Sequence, residues 1–247
     1  MGRIVVPRRQ VLQGLGASGL AACGPGASLA PRDPKEVQRG SIDTIVICMM
    51  ENRSFDHVFG SYSLLEGRAD VDGLVAGMSN PDPDGNPVPI GRMASPCTEP
   101  DPPHGWSSSR TQFAEGANTG FVQAYLDSGG PGAPMGNVMA YQTREEQPVS
   151  YALADRYALC QRWFSSVLTS TWPNRLYFHA GQSQGMTGND LPEGGRYTCR
   201  TIWDQLTDAG IDWAYYFTDL PTLGLFGNPD YAPHLQFIEQ FYADAAA

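Results

Sequence analysis

The chain has 247 residues, a formal net charge of −10, 41% hydrophobic residues and 11% aromatic residues. That length suits one large domain with a substantial core, and that apolar content excludes a disordered chain. An acidic balance with no Lys/Arg cluster excludes a nucleic-acid partner, whose phosphates need a concentrated cationic surface.

Residues 1–23 read as an export signal. Arg8 and Arg9 precede an apolar, small-residue run from Val11 to Ala22. Such a run matches a signal core and is too short to span a bilayer comfortably. The pattern Arg8, Arg9, Val11, Leu12 resembles a twin-arginine signal. Leu20–Cys23 resembles a bacterial lipobox, with Cys23 the lipidated residue. The expected destination is the cell envelope or the medium, with or without a lipid anchor. Residues 24–41 read as a linker, and the domain occupies 42–247. Cys48, Cys97, Cys160 and Cys199 allow three disulfide pairings in an exported chain. Cys48, inside an apolar run, is expected to be a buried thiol.

Ile42–Met50 is nearly continuous and apolar, as a strand buried on both faces of a parallel sheet would be. The chain then turns polar at Glu51-Asn52-Arg53-Ser54. Ligands in open α/β sheets bind beyond the carboxyl ends of strands, which is where Glu51 and Asn52 stand. Ser54 or Asn52 caps a short helix through Phe55 and Val58 that closes at Gly60. "NPDPDGNPVPIG" (80–91) is turn chemistry. Its Asp-x-Asp-Gly lacks the downstream Glu of a calcium loop and reads as a plain turn. His104 and Trp106 fall in a loop. A short helix ends at Gly129-Gly130, and a longer one begins near Pro148.

"WFSSVL" (163–168) is extended and leads to "STWPNR" (170–175). Proline suits a first helical turn and biases the preceding residue toward extended backbone, so a helix is predicted from Pro173. Thr171 then stands at a loop-to-helix junction beside unpartnered N–H groups. Its hydroxyl is a helix cap or a nucleophile facing phosphate. Thr201 with Asp204 forms a capping box, Gly210 ends that helix, and Trp213–Phe217 is a strand. Residues 232–247 read as a helix. His57 and His179 are assigned to packing or support, and His234 to the surface.

"MENRSFDHVFG" (50–60), "PHGW" (103–106) and "STWPNRLYFHAGQSQG" (170–185) together resemble the bacterial and plant non-specific phospholipase C family, which includes related acid phosphatases. That family belongs to the alkaline-phosphatase-like superfamily. The resemblance implies an α/β fold, a mostly parallel sheet flanked by helices. It implies that Glu51, Asn52 and Thr171 hold a divalent metal ion, that Thr171 is the nucleophile, and that His104 lines the phosphate site. Asn174 is implied to contact the phosphoryl group. Arg175 either stabilises phosphate or pairs with a carboxylate. The implied substrate is a phospholipid of the phosphatidylcholine type, met at a membrane surface and cleaved to diacylglycerol and phospho-headgroup through a phospho-threonine. A small phosphomonoester, with acid phosphatase activity, is the alternative substrate. The family's later segment, with paired acidic ligands, has no counterpart here. The C-terminal part of the fold is therefore expected to be missing, which makes the chain incomplete and inactive alone, or an inactive surface lipoprotein.

Overall fold

The computed structural model describes residues 44–246, apart from 52 and 96. The export signal with Arg8 and Arg9, Cys23, the linker and Asn52 lie outside the described residues. Met1–Ile47 and Cys48–Ala247 are two separate compact units. Everything below concerns the second unit unless stated.

The chain is mixed α/β, with short two-stranded sheets flanked by helices. Helices α1 (Phe55–Phe59) and α2 (Ser61–Glu66) come first. Ser54 caps α1 as the sequence implies: its side chain accepts the N–H of His57 at 3.1 Å. Strands β1 (Ser79–Pro81) and β2 (Pro87–Pro89) pair antiparallel around Asp82. Asp82 Oδ1 accepts the N–H groups of Asp84 and Asn86 at 2.9 and 2.8 Å. That side-chain turn is what an Asp in this context does.

Strands β3 (Gly91–Arg92) and β4 (Ala140–Tyr141) pair parallel. Between them lie α3 (Trp106–Phe113) and α4 (Phe121–Gly129). Trp106 thus opens a helix instead of lying in a loop, with Gly105 in extended conformation before it. Helix α5 (Pro148–Arg156) places Pro148 in its first turn, where no N–H is needed. Tyr151 of α5 stacks near Tyr62 and Phe59, with ring centroids 4.5 and 5.5 Å away, and these rings with Val71 form one core cluster.

Helix α6 (Thr171–Ala180) starts two residues earlier than the Pro173 boundary expected from sequence. Ser170 is its N-cap, and Pro173 sits where an intrahelical N–H is not yet required. Helix α7 (Ile202–Asp208) carries the predicted capping box, with Asp204 N–H donating to Thr201 Oγ1 at 3.2 Å and Thr201 N–H to Asp204 Oδ2 at 2.7 Å. Strands β5 (Tyr215–Phe217) and β6 (Leu235–Phe237) pair parallel, and α8 (Ile238–Ala246) follows. Leu176 of α6 joins Tyr197, Leu223, Phe226 and Tyr231 in the second core cluster.

Three local expectations are corrected. Residues 44–50 form no strand. A strand exists only where a neighbour takes its N–H and C=O groups, and no described segment pairs with them. Cys48 is consequently exposed, and all four described cysteines are free thiols. His234 is not plain surface: its ring stacks on Trp213 with centroids 3.9 Å apart, and Nδ1 lies 2.8 Å from the Trp213 carbonyl.

Candidate active site

The segment 163–170, bent at residues 166–169, runs into α6, and Thr171 is the first residue of that helix. Trp172 N–H donates to Asn189 Oδ1 at 2.8 Å, and Pro173 has no N–H. The first turn is therefore partly satisfied from within the chain, and less of it faces a ligand than a bare helix start would offer.

Thr171 Oγ1 donates to Glu51 Oε1 at 3.2 Å. Arg175, one turn further along α6, donates from Nε and Nη2 to the other carboxylate oxygen, Oε2, at 3.2 and 2.9 Å. The two residues lie on the same helix face because positions four apart do. A carboxylate 120 residues earlier in the chain thus bridges the hydroxyl and the guanidinium. Glu51 is 45% exposed and Arg175 23%. Of the two roles open to Arg175 in the sequence, the structure shows the carboxylate pair.

These groups line a cleft of about 710 Å³ shared with His104, His57, Asn174, Trp163 and Phe164. His104 Nδ1 lies 3.0 Å from the Pro102 carbonyl, an N–H···O=C arrangement that leaves Nε2 as the nitrogen able to meet a ligand. Nε2 of His57 is buried and has no hydrogen-bond partner among the described residues. Burial, and then the charge of Arg53, hold this ring below the usual histidine pKa; a bond to the Ala140 backbone opposes them. His57 is thus a neutral imidazole at the cleft wall. The sequence assigns it to packing or support, and its place in "SFDH", one turn past the Ser54 cap, is the signal that puts it beside the site. His179 is in the core, as expected.

Asn174 lies at the cleft wall with its amide turned toward its own loop. Its Oδ1 accepts the N–H of Val167, and its Nδ2 faces the carbonyls of Val167, Thr169 and Ser170. An amide so engaged has no free donor for a phosphoryl oxygen.

Among the described residues, no three His, Cys, Asp or Glu side chains converge. Of the residues that the resemblance implies as metal ligands, Glu51 and Thr171 are described, and they offer Oε1 and Oγ1 3.2 Å apart. They fit in kind, being hard oxygens, and in spacing. Neighbouring oxygens each about 2.1 Å from one small cation stand about 3 Å apart, against the 3.2 Å found here.

Residues 42–245 match the family model described as "Phosphoesterase family". The chain belongs to that family. This phosphoesterase-family chain is 35% identical over 216 residues to non-specific phospholipase C1 of Arabidopsis thaliana, covering 82% of the chain and 39% of the relative. It is 31% identical over 217 residues to non-specific phospholipase C3 of the same plant, covering 81% of the chain and 40% of the relative. It is 33% identical over 214 residues to phospholipase C B of Mycobacterium tuberculosis, covering 76% of the chain and 40% of the relative. The phosphoesterase-family chain thus spans about 40% of the length of these relatives.

Proposed function

We propose that this chain carries the nucleophile and first metal ligands of a phospholipase C-type phosphoester hydrolase. The observation that carries the reading is the Thr171 hydroxyl bonded to Glu51 at the start of a helix, inside a large cleft. Family membership supports the reaction class, and the names of the relatives support a phospholipid substrate.

Thr171 Oγ attacks phosphorus, a P–O bond forms, and the P–O bond to the alcohol breaks. The alcohol leaves as diacylglycerol when the substrate is phosphatidylcholine. Water then cleaves the phospho-threonine link and frees phosphocholine. A free threonine hydroxyl is a weak nucleophile and needs a partner that draws off its proton. The O–H of Thr171 is directed at a carboxylate, which orients it for that loss. Glu51, Thr171 and, from the sequence, Asn52 would hold the divalent cation, which supplies a lowered hydroxyl pKa and a positive field at the phosphoryl oxygens. His104 is assigned proton donation to the leaving oxygen. Arg175 anchors Glu51, and in doing so brings positive charge to the site. Export through the Arg8-Arg9 signal and an anchor at Cys23 belong to the same proposal and rest on the sequence.

The test is product analysis. A protein that carries this chain together with the family's later segment, given phosphatidylcholine vesicles and a divalent cation, should yield diacylglycerol and phosphocholine, and chelation should stop it. Release of inorganic phosphate from small monoesters with no action on vesicles would contradict the phospholipase reading. Turnover undiminished by a chelator would contradict the metal.

A further inference from the structure

Thr171 stands at the end of a segment, 163–170, that has no regular secondary structure and pairs with no described strand. Trp163 and Phe164 within it are 85% and 78% exposed. A nucleophile at the end of such a segment needs something to fix its position: Arg110 Nη1 donates to Leu168 O at 3.0 Å, Thr169 Oγ1 donates to Thr187 O, and the side chain of Asn174 engages Val167, Thr169 and Ser170. Asn174 Oδ1 accepts Val167 N–H at 3.1 Å, and Asn174 Nδ2 donates to Val167 O at 3.0 Å. Those two bonds reproduce what a neighbouring strand would offer Val167. Nδ2 also lies 3.2 Å from Thr169 O and 3.1 Å from Ser170 O. Two N–H hydrogens shared over three carbonyls, with the oxygen engaged as well, use the donor capacity of the amide fully.

We propose that Asn174 is a positioning residue for the nucleophile and not a ligand of the phosphoryl group. Its amide folds residues 167–170 back over the first turn of α6. The backbone entering Thr171 is thereby set, and with it the direction of Oγ1 toward Glu51. Arg175, the next residue, fixes the far oxygen of Glu51 from the same turn. Consecutive side chains therefore hold the two partners of the Thr171–Glu51 bond, one through the loop and one through the carboxylate. The geometry also accounts for residue type. Aspartate keeps the acceptor for Val167 but turns an oxygen toward three carbonyls, and glutamine is a methylene too long. The role in catalysis rests on the proposed nucleophile; the clamp itself does not.

The experiment pairs backbone hydrogen exchange with kinetics in Asn174→Ala and Asn174→Asp, each checked for wild-type circular dichroism. The Val167 amide should exchange slowly in the wild type. It should exchange at least ~10-fold faster in Asn174→Ala, since a half-buried amide without its acceptor loses its protection. In Asn174→Asp it should stay protected, because the acceptor is kept. That arm serves if the alanine variant fails to fold. Turnover should fall ~100-fold in both, the scale expected when a reacting atom is misplaced by about 1 Å. KM, and competitive inhibition by inorganic phosphate, should change less than about twofold. A parallel rise in KM and weakening of phosphate inhibition would overturn the proposal in favour of a phosphate ligand. Unchanged Val167 exchange in Asn174→Ala, or unchanged kcat in both variants, would overturn it as well. Turnover that survives Thr171→Ala defeats the nucleophile reading instead, and a chain without turnover of its own leaves the kinetics to be read in the protein extended by the family's later segment. Val167 exchange then decides the clamp alone.

Discussion

Trp203 donates its indole N–H to Nδ1 of His179 at 2.9 Å, inside the core beneath α6. An imidazole that accepts at Nδ1 carries its proton on Nε2, and here that N–H is buried without a partner. The ring is surrounded by Trp203, Tyr215 and Phe226. Burial first, and then the charge of Arg175, push its pKa from 6.5 down to about 4. The folded state therefore takes up this proton later than the unfolded state as pH falls. The stabilisation is complete above about pH 6.5, declines through the window from 6.5 to about 4, and levels off below. A gap of that size corresponds to about 3 kcal/mol. Urea unfolding at pH 7.5 and 4.5 should show most of that loss in the wild type. His179→Gln, which keeps an acceptor for Trp203, should lose about 2.5 kcal/mol less over the same interval, which stops short of the folded-state pKa. Equal losses in the two proteins would contradict the assignment.

Gly120 marks a close approach between α3 and α4. A Cβ there would lie 1.8 Å from the Thr111 carbonyl oxygen and 3.2 Å from the Gln112 nitrogen. Neither is a side-chain end that can swing away. Gly120→Ala should destabilise the fold by at least ~2 kcal/mol, in the range of overpacked cores, read as a lowered urea midpoint. An unchanged midpoint would mean that α3 and α4 are not so close.

Thr201 is fully buried and bonds both the Asp204 carboxylate and the Tyr231 hydroxyl, the latter at 2.8 Å. Thr201→Val removes the cap acceptor and leaves the Tyr231 hydroxyl one partner fewer. The expected loss is about 1–2 kcal/mol in chemical unfolding. A change below ~0.5 kcal/mol would show that the capping box contributes little.

Arg175→Lys separates the role of the guanidinium from its charge. The pair with Glu51 is partly exposed, so the stability change should stay within ~1 kcal/mol. Lysine offers a point charge in place of a planar fork, so Glu51 loses its fixed orientation. Turnover should fall at least ~10-fold while the thermal midpoint barely moves. Full turnover would show that Glu51 needs no anchor.

Short-range chemistry was legible in the sequence wherever a residue and its partner lie within a turn. The Ser54 cap, the Asp82 turn and the Thr201–Asp204 box are of that kind. The motif around Thr171 and the resemblance it carries pointed to the family to which the chain belongs. What sequence reasoning could not supply were the partners of long side chains. Arg175 meets a carboxylate 124 positions away. Asn174 turns back on its own loop because that backbone finds no described strand to pair with. The apolar run ending at Met50 misled for the same reason: apolarity states what a strand buries, while its backbone partners are set by tertiary structure.

The central claim is that Thr171 accepts the phosphoryl group, and rapid-quench mass spectrometry tests it most directly. A protein that carries this chain together with the family's later segment is mixed with a chromogenic phosphocholine ester and a divalent cation, quenched in acid and digested. The account predicts a phosphocholine adduct on the peptide bearing Thr171, retained in part by Thr171→Ser and absent from Thr171→Ala, with turnover lost by several orders of magnitude in the latter. Ester hydrolysis at the wild-type rate by a folded Thr171→Ala protein, with no adduct on any peptide, would contradict it.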